Sequence, residues 1–151
     1  SNLHIILSRL VHAPNCYIAT LDKERNFLEF PYFSDENHIP AEARPLGAGV
    51  TEYLLRHGRA ELLGPDKAME LADGGELDIE VAQRMKIGRN YWVGTPLVVE
   101  GEVSGVVGIQ SYNDKYQYLP RDLELLRYVS HHIAVALERK RAAEAIQTYN
   151  Q

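Results

Sequence analysis

"YWVGTPLVVEGEVSGVVGIQSYN", residues 91–113, carries the strongest strand signal in the chain. Two runs rich in Val flank Glu100-Gly101, and glycine supplies the positive φ that a tight hairpin turn needs. The stretch therefore predicts a β-hairpin that pairs residues 91–99 antiparallel with 102–110. A two-residue loop sets Val99 opposite Glu102, Pro96 opposite Gly105 and Trp92 opposite Ile109. One face then holds Trp92, Gly94, Pro96, Val98, Val103, Gly105, Val107 and Ile109, with nothing polar among them. The other holds Tyr91, Val93, Thr95, Leu97, Val99, Glu102, Ser104, Val106, Gly108 and Gln110. Neither face reads as solvated, so each needs a cover. Glycine and proline weaken strands, and small residues on a covered face mark close approach by another backbone or by a ligand.

The remaining composition bounds the setting of this hairpin. A chain of 151 residues, 45% hydrophobic and 25% charged, suits one domain with a single core. The net charge of −5, with basic residues scattered except at Arg139-Lys140-Arg141, argues against a nucleic-acid partner. The lone cysteine, Cys16, has no internal disulfide partner, as expected of a reducing compartment. No apolar run reaches the length of a membrane span, so no membrane contact is expected. Ser1-Asn2, with no initiator Met, reads as a tag remnant, and the chain is expected to be an excised piece of a longer protein.

Outward from the hairpin, hydrophobic spacing supplies the other elements. Leu3, Ile6, Leu7, Leu10 and Val11 form one helical stripe that ends before Pro14. Residues 16–21 read as a central strand and 26–33 as a second, followed by a loop to Gly49. Residues 50–58 predict a helix closed by Gly58 in the left-handed region, and 60–63 an edge strand. Two weak helical patches, 66–72 and 77–85, are split by Asp73-Gly74-Gly75. From Pro120 onward no helix breaker intervenes. Leu126, Val129, Ile133, Ala136, Lys140 and Ala143 recur at 3-4-3-4-3 spacing, which predicts a coiled-coil seam and a stalk that leaves the domain.

Three blocks, "RPLGAGVTEYLLRHGRAELL", "YWVGTPLVVEGEVSGVVGIQSYN" and "YLPRDLELLRYVSHHIAVALERKR", resemble a GAF domain in that order and spacing. The version is similar to those of bacterial sensors that end in histidine kinases or diguanylate cyclases. The resemblance implies an α+β fold, GAF-like and related to PAS and profilin folds, with an antiparallel sheet of five to six strands. Terminal helices would cover one face, and short helices and loops the other. Residues 1–140 would form the domain, and 141–151 the start of a signalling-helix linker. Family members hold small ligands under the loop-side roof. Gly94, Pro96 and Gly105 would then floor a pocket, although the same glycines could instead admit closely packed neighbours.

Known GAF specialisations fit less well. The bilin chromophore needs a thiol placed elsewhere than Cys16, and sulfoxide reduction needs several cysteines. Asn113, Lys115, Tyr118 and Asp122 match the cyclic-nucleotide signature only in part, with Tyr for Phe and Leu123 for the final Glu. Among six histidines, His131 and His132 point roughly 100° apart on a helix and cannot share a metal; a single axial haem ligand is left open. No paired catalytic groups or phosphate cradle appear. The expected function is thus a non-catalytic sensory module of a cytoplasmic signalling protein. It would have no metal or cofactor, and would bind a small molecule or partner and gate an output domain through a homodimer of terminal helices. The alternative is a dimerisation or spacer module with a collapsed pocket. The ligand-binding candidates are Tyr17, Tyr53, Met69, Trp92, Gly94 and Pro96, in a cavity roofed by residues 64–90. Filling Gly94 with leucine is expected to abolish binding and spare the fold.

Overall fold

A computed structural model describes residues 13–37 and 41–150. The predicted helix at residues 3–12, with the cover assigned to it, lies outside the described residues. A six-stranded antiparallel sheet runs in the order β3-β2-β1-β6-β5-β4. Its strands are β1 (Asn15–Asp22), β2 (Phe27–Ser34), β3 (Arg44–Pro45), β4 (Glu61–Leu63), β5 (Tyr91–Val99) and β6 (Glu102–Ser111). Four described helices accompany it: α1 (Val50–His57), α2 (Pro65–Asp73), α3 (Ile79–Gly88) and α4 (Pro120–Tyr149). The α+β architecture, the central β1 and the edge β4 agree with the sequence reading. β3 was expected to be loop; it is a two-residue bridge to Phe27 and Leu28, too short to leave a periodic signal.

The helix ends follow local chemistry. Gly58 closes α1 at φ 67°, and its N–H bonds Leu54 O at 2.7 Å. Glu52 sits in the first turn of α1, with Arg56 and His57 in the last, as the helix dipole favours. Asp78 caps α3 by accepting the Glu80 N–H, and Pro120 opens α4 where no N–H is needed. Asp122 accepts the Leu119 N–H at 2.7 Å, closing the start of α4.

The sheet separates two apolar cores. On one side, Cys16, Ile18, Val93, Leu97, Val99, Val107 and Ile109 meet Leu126, Val129 and Ala134 of α4. On the other, Tyr17, Ala19, Leu28, Trp92 and Val106 meet Tyr53 and Leu54 of α1, with Ala68 and Leu71 of α2 and Ala82 and Met85 of α3. The short helices and loops cover this second face.

The hairpin pairs as predicted at its tip, Val99 with Glu102, around Glu100 at φ 53° and Gly101 at φ 80°. Below Val98 the register shifts, because Ser104 is an extra residue in β6. Pro96 therefore opposes Val106 instead of Gly105, and Trp92 opposes Gln110 instead of Ile109. A one-residue slip exchanges faces. The wholly apolar face expected from the sequence does not exist. Gly105, Val107 and Ile109 turn to the α4 side, while Val106, Gly108 and Gln110 join Trp92, Gly94 and Pro96.

The glycines serve close packing. A Cβ on Gly105 would fall 2.0 Å from the carbonyl oxygen of Ala19 on the neighbouring strand. One on Gly94 would fall 2.3 Å from the Trp92 ring, and one on Gly108 2.5 Å from the Tyr17 ring. The space above Gly94 is thus occupied, and the expectation that leucine there would spare the fold is corrected: it collides with Trp92 and Leu54.

The seam of α4 is also partly reassigned. Leu126 and Val129 are buried against the protein's own sheet, Ile133 packs beside them, and Ala136 is exposed. The last described tie is the Glu100 N–H to Glu138 Oε1 at 2.8 Å, and residues 139–150 are all exposed.

Glu52 fastens the β3–α1 connection. Its carboxylate is buried, takes both Arg44 Nη1 (2.5 Å) and Nη2 (3.2 Å), and accepts the Gly47 N–H at 2.8 Å. Burial alone would raise this carboxyl, but the Arg44 and Gly47 bonds outweigh it and hold Glu52 below the ordinary glutamate value.

Two outcomes follow from this packing. Gly105→Ala meets backbone that has no rotamer to yield, and urea denaturation should show a loss of about 3 kcal/mol, the upper end for overpacking. Glu52 stabilises the fold fully above its unfolded value of about 4.3, and that contribution is lost as pH falls through the lower folded value. The urea midpoint should drop on acidification from pH about 5 toward 3, and Glu52→Gln should flatten that drop while lowering the midpoint at neutral pH.

Candidate functional site

On the face away from α4, Trp92 and Tyr17 lie over the cross-strand glycine pair Gly94 and Gly108. Both rings are buried, and their polar atoms are joined. Trp92 Nε1 donates to Tyr17 Oη at 3.0 Å, and Tyr17 Oη shares a hydrogen bond of 2.7 Å with Thr51 Oγ1 of α1. Burial pushes the Tyr17 hydroxyl up to about 12 despite its bonds to Thr51 and Trp92, so it is a neutral phenol at physiological pH. Phe30 and Phe33 of β2 pack on the Tyr17 ring at centroid distances of 6.0 and 6.1 Å.

Beside this cluster is a cavity of about 180 Å³. Val81, Arg84 and Met85 line it from α3, at the i, i+3, i+4 spacing that shares a helix face, and Val50 lines it from α1. Trp92 and its cross-strand partner Gln110 form the sheet side, with Asn90 at the junction of α3 and β5. Arg89, at φ 51°, ends α3, and the Asn90 N–H returns to Met85 O at 2.9 Å, fixing that junction.

Of the six predicted ligand residues, Trp92 lines this cavity. Tyr17 lies behind it in the same core. Tyr53 is buried in α1, donates to Glu61 Oε1 at 3.4 Å and meets the His57 ring, tilted against it, at 4.6 Å between centroids. Met69 is a partly buried contact of the same core. Gly94 lies beneath Trp92, and Pro96 lines a separate groove of about 210 Å³ with His131 and Ala134 of α4. Val81, Arg84, Met85 and Asn90 of the lining fall within residues 64–90 and Val50 does not, and the structure does not gather the six around one space.

Arg84, Asn90 and Gln110 escaped the sequence reading. The α3 triplet was visible as spacing. Gln110 was not, because the unforeseen bulge at Ser104 placed Ile109 opposite Trp92.

The positions similar to the cyclic-nucleotide signature have structural partners here. Asn113 N–H bonds Gly88 O at 2.9 Å, Lys115 pairs with Glu36 at 3.0 Å, and Asp122 also accepts Tyr116 Oη at 3.1 Å. Tyr118 is buried, which raises its hydroxyl above the ordinary tyrosine value. His57 Nε2 lies 3.2 Å from Glu76 Oε1. No group of three His, Cys, Asp or Glu side chains that could hold a metal occurs among the described residues. Nor is any described helix long and apolar enough to cross a membrane.

An antiparallel sheet thus lies between a long helix and a layer of short helices, with a small cavity under that layer. The GAF domain model matches residues 3–138, and the chain belongs to this family, whose members are sensory modules of signalling proteins. Solved structures agree in fold. A GAF domain/HD domain protein from Geobacter sulfurreducens superposes with a TM-score of 0.68 at 15% identity, over 93% of this chain and 90% of that one. The GAF domain of a two-component sensor histidine kinase from Bacillus halodurans gives 0.64 at 18%, over 99% and 94%. Free methionine-R-sulfoxide reductase from Neisseria meningitidis, in complex with its substrate, gives 0.70 at 17%, over 94% and 77%. No curated protein sequence matches significantly.

Removing the central hydroxyl tests the cluster. Tyr17→Phe leaves the buried indole N–H and the Thr51 hydroxyl without their shared partner, which should cost about 1–3 kcal/mol in urea denaturation. The emission of Trp92, the chain's one tryptophan, should shift with it, whereas unchanged stability and emission would assign the bonds no role.

Proposed function

We propose that this GAF domain is a non-catalytic sensory module of a cytoplasmic signalling protein, binding a small molecule in the cavity between α3 and the sheet. One observation carries the reading. Trp92 lines the cavity on one face of β5, and its neighbour Val93 packs in the α4 core on the other. An occupant that displaces β5 therefore acts on the seat of α4, and its differential affinity for two positions of that helix is what gates an output domain. Two further ties run from the hairpin to α4: Ser130 Oγ to Pro96 O at 3.1 Å, and the Glu138 contact at the turn. Parallel α4 helices of two copies would form the stalk, using surface beyond that spent on the sheet.

The reading as a non-enzyme rests on the lone cysteine. Cys16 lies in the α4-side core, across the sheet from the cavity, and burial pushes its thiol up to about 11. Such a thiol is a small hydrophobe, poorly suited to attack. A spacer module with no ligand is favoured by one fact, the filled space above Gly94, and one experiment separates the two readings. Val81→Phe partly fills the cavity as an occupant would. On the sensory reading, hydrogen exchange at Glu100 and along residues 126–138 of α4 should change by at least about threefold relative to β1. Exchange that changes only at α3 supports the spacer. Sedimentation of a chain continued past Gln151 should show a concentration-dependent dimer, and monomer alone at high concentration would reject the stalk pair.

A further inference from the structure

The seven residues around the cavity divide sharply by chemistry. Val50, Val81, Met85 and the edge of the Trp92 indole are apolar, whereas Arg84, Asn90 and Gln110 carry polar heads. None of the seven is acidic. Among the described residues, none of these three side chains makes a hydrogen bond or ion pair, although Gln110 O accepts from Asn15 Nδ2 at 3.0 Å. A guanidinium and two carboxamides therefore border one space with no protein partner for their donors, which water serves. At about 180 Å³ the space is comparable with a cavity of about 150 Å³ that admits a single benzene ring.

Donors free of protein acceptors, one fixed positive charge and an apolar lining select a particular guest. Arg84 offers a planar fork that matches a carboxylate. Asn90 and Gln110 can each donate to a second oxygen. Half-buried Val50 and Val81, with the edges of the largely buried Trp92 indole and Met85, favour a compact apolar body. A cationic guest would meet Arg84 with no carboxylate from the lining to compensate. Resting on the reading of this cavity as the ligand site, we infer that its ligand is a small carboxylate with an apolar body of about one ring, its anionic end at Arg84 and its ring against Val50, Val81 and the edge of Trp92.

The test uses benzoate, with benzyl alcohol as its neutral counterpart of similar size, on the ¹⁵N-labelled chain and its Arg84→Gln variant. Arg84 is exposed, so the substitution leaves the core intact. Both probes should shift the Trp92 indole N–H signal and the amides of Met85 and Asn90. Benzoate should bind more tightly than benzyl alcohol, and Arg84→Gln should weaken benzoate about tenfold while leaving benzyl alcohol unchanged. Equal affinities that ignore Arg84→Gln would overturn the carboxylate assignment and leave the cavity reading standing. If neither probe moves these signals, the cavity reading falls and the carboxylate goes with it.

Discussion

The packing of the second core depends on how two aromatic rings lie over two glycines of the sheet. Gly94 and Gly108 oppose each other across β5 and β6, so the floor lacks two adjacent side chains. Trp92 and Tyr17 fill that trough, each over one glycine. Burying an indole N–H and a phenol in apolar surroundings is costly unless both are bonded. Here one hydroxyl serves both needs, accepting from Trp92 and sharing a proton with Thr51. Because Thr51 belongs to α1, the bond also sets where α1 can sit. Leu54, one turn further along α1, then closes over Gly94, and Val50 is left facing the cavity.

This arrangement explains why a hairpin at the centre of the sheet tolerates three glycines. Each is matched to a different object: an indole, a phenol ring and a neighbouring carbonyl. Sequence reading located the hairpin, the order of the flanking elements and the family, because these rest on period, turn chemistry and spacing. It also named Trp92. What it missed of the hairpin's faces depended on one residue. The tip register is fixed by Glu100-Gly101, but Ser104 bulges and every residue beyond it exchanges faces. The local sequence at Ser104 does not mark the bulge, and only which core takes Val106 and which takes Val107 distinguishes the two registers. The question posed by the glycines was therefore legible and its answer was not. That answer needed the rings that come to lie over them.

The same bulge makes the candidate site. Without it, Ile109 would stand beside Trp92 and the cavity wall would be apolar on its sheet side. With it, Gln110 takes that place and Ile109 supports α4 instead. Gain of a polar cavity wall and completion of the α4 core are thus one event in the chain. Arg84 and Asn90 were missed for a different reason. An arginine on an exposed helix face and an asparagine at a helix end are ordinary in sequence, and only the position of α3 across from Trp92 joins them.

The helix on the far side is where a small movement can become a large one. Residues 122–138 of α4 are seated on β5 and the hairpin tip, while 139–150 touch nothing that buries them. That exposed length is about 18 Å of helix at 1.5 Å per residue. Its direction is inherited entirely from the seat, so a tilt of about 5° there moves the end by roughly 1.6 Å. Close-packed interiors resist compression and pass displacement on. Within this sheet the tight approach of Gly105 to Ala19 O stiffens β6 against β1. β5 has a weaker outer neighbour, since β4 pairs with only Trp92, Val93 and Gly94. On the proposed reading, the strand that carries both Trp92 and Val93 is therefore the one free to shift, and the long helix is the element that reports the shift.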